Sequence, residues 1–317
     1  MVLDHHYEND TGMLIYTIKR IILAMLVALV VSAFSFGLLF LSGDPATAIA
    51  GEAGTEEDIA YIRKLYGFDR PLPIQYVHWV GKAVRGDFGN SFFFDLPVSR
   101  IIGGALPTTM KLGALSLTFA LVLSIPLGVI AAIRPNTWVD RLALTLSVMG
   151  QAMPSFWFSL MLIVVFAVWI PILPASGSET WQNFVLPTIV LGYYAMPAIM
   201  RLTRAGMLEV LTSDYIRTAR AKGLLAGKVL FKHALRNALI PVVSLAAVQF
   251  GFMLGGSIVI ESVFAIQGMG FLAWQSITRS DFPTVQAIIL ILALIYVALT
   301  LIADLVNAWL DPRIRVA

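Results

Sequence analysis

Six segments of this chain are long and apolar enough to cross a bilayer, near residues 16–41, 109–133, 142–170, 184–207, 238–260 and 284–309. A hydrocarbon core of about 30 Å asks for about 20 largely apolar residues per helix. No water is available there for backbone N–H and C=O groups, so each segment must satisfy its own as an α-helix. Only 13% of the residues are charged, about half the share of a soluble domain. The expected fold class is therefore an all-α integral membrane protein with six transmembrane helices. The first segment is preceded by Lys19-Arg20 and followed by small-residue triplets at 46–50, as in a secretory signal. Its apolar run 21–41 is too long for a signal core, so a retained helix is expected. The register around Met13 also allows translation to begin there, which makes 1–12, with His5 and His6, a polar tail.

The cations orient these spans. With the N-terminus in the cytoplasm, fourteen lysines and arginines fall on the inner side, whereas the short outer loops 171–183 and 261–283 hold only Arg279. The positive-inside bias then places both termini in the cytoplasm. The expected organisation is an N-terminal tail 1–15, a first helix 16–41, an external loop 42–108, a five-helix core 109–310 with a cytoplasmic loop 208–237, and a tail 311–317. In the external loop, Ile59, Ile62, Leu65 and Tyr66 recur at helical spacing before Gly67. A second amphipathic segment opens at Pro71 and carries Val77, Trp79, Val80 and Val84. Both read as short helices on the outer membrane surface, either capping the bundle or docking an external partner.

Chemistry is sparse. No P-loop occurs: Gly81-Lys82 and Gly227-Lys228 are followed by Ala and Val. The four histidines at 5, 6, 78 and 233 lack metal spacing, there is no G-x-S-x-G elbow, and there is no cysteine. No enzyme and no metal site are expected in this chain, and nucleic-acid binding is a poor account of its charge. Ionisable groups within the spans, the usual mark of ion-coupled carriers, are nearly absent. The one acid within them, Asp304, lies near the cytoplasmic end of the last span and reads as a partner contact.

The loop between the fourth and fifth spans is different. Residues 215–243, YIRTARAKGLLAGKVLFKHALRNALIPVV, hold six cations, Arg217, Arg220, Lys222, Lys228, Lys232 and Arg236, and no acid. A helix over 214–222 is predicted to stop at Gly223 and a second to run from Ala226 to Asn237. Lys228, Lys232 and Arg236 form one stripe at spacing four, while Leu225, Val229, Leu230 and Leu235 occupy another face. An ordered helical elbow of this kind can fill a groove on another protein with its apolar face, its cations orienting the contact or meeting anionic lipid.

This elbow resembles the cytoplasmic loop of ABC importer permeases, E-A-A-x-x-x-G followed by isoleucine and proline. It is most similar to the dipeptide/oligopeptide/nickel branch, where Y-[IV]-R-T-A-R-A-K-G precedes H-A-L-R-N-A-[LM]-[IL]-P-V-V. Tyr215 to Gly223 and His233 to Val243 reproduce both halves. Against the general motif only Ala219 and Gly223 align; its glutamate falls at Arg217 and its first alanine at Thr218, and Pro241 lies farther from the glycine. The resemblance spans nearly the whole chain, through GDP at 43–45, YGFDRPLPIQY at 66–76, GDFGNS at 86–91, LPTT at 106–109, ESVFAIQGMG at 261–270, RSDFPTVQ at 279–286 and DPRIR at 311–315.

The resemblance implies the first permease subunit of a type I ABC importer in a bacterial inner membrane. It implies pairing with a second homologous permease, two cytoplasmic ATPases that bind ATP and Mg, and an external or periplasmic substrate-binding protein, with no cofactor in this chain. It also implies alternating access driven through a coupling helix near Ala219 to Gly223. The expected coupling residues are Tyr215, Arg217, Ala219, Arg220, Lys222, Gly223 and His233, with Arg201 and Arg204 as interface anchors. Gln151, Gln249, Gly255 and Glu261 are candidates for the translocation path. Gly251 and Gly255, four apart, would let a neighbouring backbone approach, and Pro154 and Pro197 would kink their helices. Di- and oligopeptides lead the substrate classes, with glutathione-like peptides, nickel chelates, opines and modified sugars in the same branch. The rivals are an ion-coupled carrier or channel without an ATPase, and a membrane-bound structural or signalling protein whose elbow binds lipid.

Overall fold

A computed structural model describes residues 4–41, 44–51 and 54–310. The expected C-terminal tail 311–317, with DPRIR, and Gly43 of the GDP triplet lie outside the described residues. The described chain is helical throughout apart from turns and one isolated bridge, Asn90 to Pro97. Five helical stretches are long and apolar enough to span a bilayer: Tyr16–Gly37, Val98–Ile133, Trp181–Leu211, Ile240–Val263 and Phe282–Ala308. The pair Trp138–Ala152 and Ser155–Trp169, bent by 98° at its break, is together long and apolar enough to count as a sixth if the two halves form one span.

Helix α1, Asp4–Leu41, runs back through most of the expected N-terminal tail. The external loop then holds α2, Pro45–Ala50, α3, Glu56–Tyr66, and α4, Leu72–Ala83. Thr55 and Asp58 close a capping box at the start of α3, and Gly67 ends it in the left-handed region at φ 72°. The Thr55 hydroxyl and amide both donate to Asp58 and hold its carboxyl below the usual range. No residue of α3 or α4 is fully buried, and α4 touches α1 where Tyr76 and Trp79 meet Phe36.

Helix α5, Val98–Ile133, starts eleven residues before the expected second span. Its added turns are held by protein rather than lipid: Val98, Ile102 and Ala105 pack on Met269, Leu272, Ala287 and Ile288. Helices α6, Trp138–Met149, and α7, Ser155–Ile163, replace the continuous span expected over 142–170. Pro154 has no N–H to donate, and Met153 before it is extended at φ −102°, ψ 138°, which stops α6 outright rather than kinking it. A break inside lipid leaves carbonyls without partners. Tyr193 and Tyr194 on α8, Val185–Leu211, answer this by donating their hydroxyls to the carbonyls of Leu146 and Met153.

The core is α5 against α8, where small residues let backbones approach. A Cβ on Gly192 would lie 2.6 Å from the Ser116 carbonyl oxygen, and one on Gly128 would lie 2.8 Å from that of Met200. Around this crossing pack α12, Ile240–Val263, then α13, Met269–Thr278, and α14, Phe282–Leu310. Leu112, Val190, Ile199, Met253 and Phe264 fill the centre. Helix α1 leans on α14 at the edge: Arg20 pairs with Asp304 at 2.9 Å, and Ser35 donates to the Gln286 carbonyl at 2.9 Å. The contact expected of Asp304 is thus made within the chain.

Candidate functional site

At the end of the bundle where α5 and α8 finish, the chain turns through Ser213 into α9, Asp214–Ala221. Gly223 follows at φ 71°, with nothing within 4 Å of the position a Cβ would take. The left-handed turn therefore needs glycine for its conformation and not for space. After Leu225 come α10, Ala226–Lys228, a π-helical turn Val229–Leu235, and α11, Arg236–Ala238. The second helix of the elbow, expected as one regular helix over 226–237, is in fact wound mostly as a π-turn.

This elbow is fastened to its own bundle. Ile216, Ala219, Val229, Ala234 and Ala238 are buried with Val129 and Ala132 of α5 and Met207 of α8. A Cβ on Gly206 would lie 2.9 Å from the Ala238 carbonyl oxygen, so α8 and α11 touch backbone to backbone. Asn237 donates to the Tyr215 hydroxyl at 2.7 Å and to the His233 carbonyl at 3.3 Å, tying the two halves together. The apolar face read from the sequence accordingly faces inward, with one exception. Leu225 is 79% exposed, and Phe231, which the sequence reading passed over, is 64% exposed. The one signal for Phe231 was its place beside Lys232, away from Val229 and Ala234.

Of the expected coupling residues, Tyr215, Arg217, Arg220, Lys222 and Gly223 are exposed, His233 is half-buried, and Ala219 points into the core. Lys228, Lys232 and Arg236 are exposed as well. Asp214 pairs with Arg217 at 3.3 Å, but both are so open that the pair adds little. The outward surface is thus two large apolar side chains and a tyrosine among six cations, carried on a rigid base. Such a surface suits insertion of apolar knobs into a cleft whose rim is acidic.

Arg204, expected as an interface anchor, instead grips Asp140 with two hydrogen bonds of 2.7 Å, Nε to Oδ1 and Nη2 to Oδ2. Asp140 is buried and also accepts from the Asn136 amide at 2.9 Å, so the start of α6 is clamped to α8 close to the elbow. Asp140 was not singled out in the sequence; only its distance of sixty-four positions from Arg204 hid the pair.

The four path candidates are not brought together. Gln151 sits exposed at the α6–α7 break and donates to the Tyr194 carbonyl at 3.0 Å. Gln249 is half-buried and Gly255 exposed on α12. Gly255 has open space before it, while the ring of Tyr296 fills the side of Gly251, so the neighbour at this pair is an aromatic side chain rather than a backbone. Glu261 is fully buried. It accepts from the Thr109 hydroxyl at 2.8 Å and from the Phe271 amide at 3.0 Å, and Thr109 in turn accepts from the Met269 amide at 2.7 Å. That arrangement clamps the 265–271 turn and the start of α13 onto α5.

A bundle of five or six apolar spans with an exposed basic elbow defines an integral membrane protein, and comparison with known families gives its class. Residues 124–316 match the profile of the binding-protein-dependent transport system inner membrane component, and residues 13–113 match that of its N-terminal region. The chain belongs to this family, and is a permease subunit of a binding-protein-dependent ABC importer. It is 40% identical over 304 residues to the glutathione transport system permease protein GsiC of Escherichia coli (strain K12), covering 96% of this chain and 99% of that protein. The corresponding protein of Salmonella typhimurium is 39% identical over the same length. A chain of the MetNI methionine ABC transporter, solved in inward-facing conformations, superposes with a TM-score of 0.55 at 20% identity, covering 67% of this chain and 96% of that one. This last likeness shows the fold.

Proposed function

We propose that this chain forms one half of the translocation pathway of an ATP-driven importer of small peptides, and that the elbow over 214–238 is the seat of a cytoplasmic ATPase subunit. The observation that carries the reading is the split of the elbow's apolar side chains. Ile216, Ala219, Val229 and Ala234 are spent on the bundle, so that a push on the elbow moves α5 and α8, while Leu225 and Phe231 stay free to be pushed.

In this reading the elbow end is cytoplasmic, as the concentration of cations there favours. Two ATPase subunits bind ATP and Mg, a second homologous permease completes the pathway, and a binding protein delivers cargo at the opposite end. The cargo class rests on the likeness to the glutathione permease. ATP-driven closure of the ATPases moves the elbow and exchanges the two faces of alternating access.

The test is uptake into proteoliposomes by the complex of this chain with the proteins encoded beside it. Uptake of labelled glutathione or a dipeptide should require ATP and the ATPases, and Gly223→Glu, checked for equal folded yield, should abolish it. Uptake without ATPases, or an uncompromised variant, would overturn the assignment of the elbow.

A further inference from the structure

The end of the molecule away from the elbow holds a cavity of about 620 Å³ that no step of transport described above uses. Its floor is Phe36, one residue before the first span ends, together with Pro283 and Gln286, where the last span begins. Its walls are α3, the turn 67–70 and α4 on one side and the loop 87–92 on the other. It therefore straddles the level at which the apolar helices leave the bilayer.

The lining has two kinds of side chain. Lys64, Arg70 and Lys82 bring three cations. Among the described residues the ion pairs are Arg20–Asp304, Arg63–Asp44, Arg204–Asp140 and Arg217–Asp214, so none of these three has a carboxylate partner. The acid on the wall, Asp87, is turned into its own loop, accepting from the Gly89 amide at 3.0 Å. Trp79, Phe36 and Phe92 supply aromatic surface, with Trp79 against Phe36 at 5.9 Å between ring centroids.

A second observation bears on the occupant. Helices α3 and α4 have no fully buried residue, and although Tyr76 and Trp79 of α4 rest on Phe36, the pair exposes Tyr61, Leu65, Leu72, Ile74 and Val77. Amphipathic helices of this make-up at a span boundary lie in the headgroup region, with aromatic side chains at the interface. Unpaired cations placed there attract anionic lipid.

We propose that this cavity binds the phosphate headgroup of an anionic phospholipid, with Lys64, Arg70 and Lys82 around the phosphate and the glycerol and first methylenes against Trp79 and Phe36. The lipid would fasten α3 and α4 to the ends of α1 and α14. A free phosphate compound offers the same anion without the chains, and the test separates the two.

The assembled transporter is reconstituted into nanodiscs containing, at equal mole fraction, either dibrominated phosphatidylglycerol or dibrominated phosphatidylcholine, and tryptophan quenching is recorded. The chain has seven tryptophans, so the Trp79 part is obtained by difference from Trp79→Phe. Quenching of that part should be several-fold stronger with phosphatidylglycerol. The preference should vanish in the triple variant Lys64→Gln, Arg70→Gln, Lys82→Gln and survive in Lys64→Arg with Lys82→Arg, which keeps the charge. Equal quenching by both lipids, or a preference that survives the triple variant, overturns the proposal. So does absence of any Trp79-dependent quenching, which would put a protein partner over the cavity, or reversal by millimolar glycerol phosphate, which would make the ligand a soluble anion.

Discussion

Glu261 shows how a single side chain can be read two ways. Its sequence position favours the translocation path, whereas its geometry is that of a clamp, with both carboxylate oxygens engaged and no exposure. In Glu261→Gln one oxygen becomes an NH2 group. If the amide oxygen keeps the Phe271 bond, the NH2 group faces Thr109 Oγ1 in place of a carboxylate oxygen, and the Thr109 O–H is left without its acceptor. A buried donor left unpaired costs about 1–3 kcal/mol, so the purified complex should melt at a lower temperature. Thr109→Val combined with Glu261→Gln should cost less than the sum of the two, since both remove the same bond. Loss of uptake with unchanged melting would instead put Glu261 on the path. Glycines separate in the same manner. Gly192→Ala places a methyl 2.6 Å from a backbone oxygen that cannot step aside, and should cost on the order of 1–3 kcal/mol in thermal melting. Gly255→Ala meets no atom of this chain, so in the isolated permease it should hold or slightly raise melting, alanine favouring a helix interior by about 0.5–1 kcal/mol.

At the scale of elements, the elbow makes a prediction that sets docking against folding. Phe231→Ala with Leu225→Ala removes only exposed surface, so the melting temperature should hold while the affinity for the ATPase subunits falls by about tenfold or more, as loss of an apolar anchor does. Ile216→Ala, in the buried cluster, should lower both. Binding measured with the purified permease pair in detergent decides between them, and undiminished affinity in the double variant would remove these two residues from the docking surface. The elements also show where sequence reading stops. The existence of six apolar spans and the Gly223 punctuation were legible because hydropathy and turn chemistry are local. The start of α5 at Val98 was not, because its first turns are stabilised by α13 and α14, contacts that no window of residues contains. Pro154 announced a disturbance in the third span, but a bend of 98° is tolerable only because Tyr193 and Tyr194, some forty positions on, cap the freed carbonyls. Tyr194→Phe should therefore loosen the break and lower melting, with about 1–3 kcal/mol lost for the orphaned Met153 carbonyl.

The whole molecule is lopsided, with one face of α12 left open. Helix α12 turns Met253, Leu254 and Ser257 inward but leaves Phe252, Gly255, Gly256 and Val259, at i, i+3, i+4 and i+7, as an exposed stripe. In a chain that works alone such a stripe faces lipid permanently. In half of an alternating-access pair it lies against the second permease or the path, and its surroundings change with each cycle. The absence of cysteine permits a direct test with Gly255→Cys in the reconstituted complex. If the stripe borders the path, a membrane-impermeant maleimide should modify the new thiol much faster in one of two conditions, resting or trapped with nucleotide and vanadate, than in the other. Dipeptide cargo should slow that faster rate. No modification in either state would assign the stripe to lipid or to a fixed contact, and would remove Gly255 from the path; equal modification in both would mean that an open aqueous route runs past it, which is the behaviour of a channel and not of an importer.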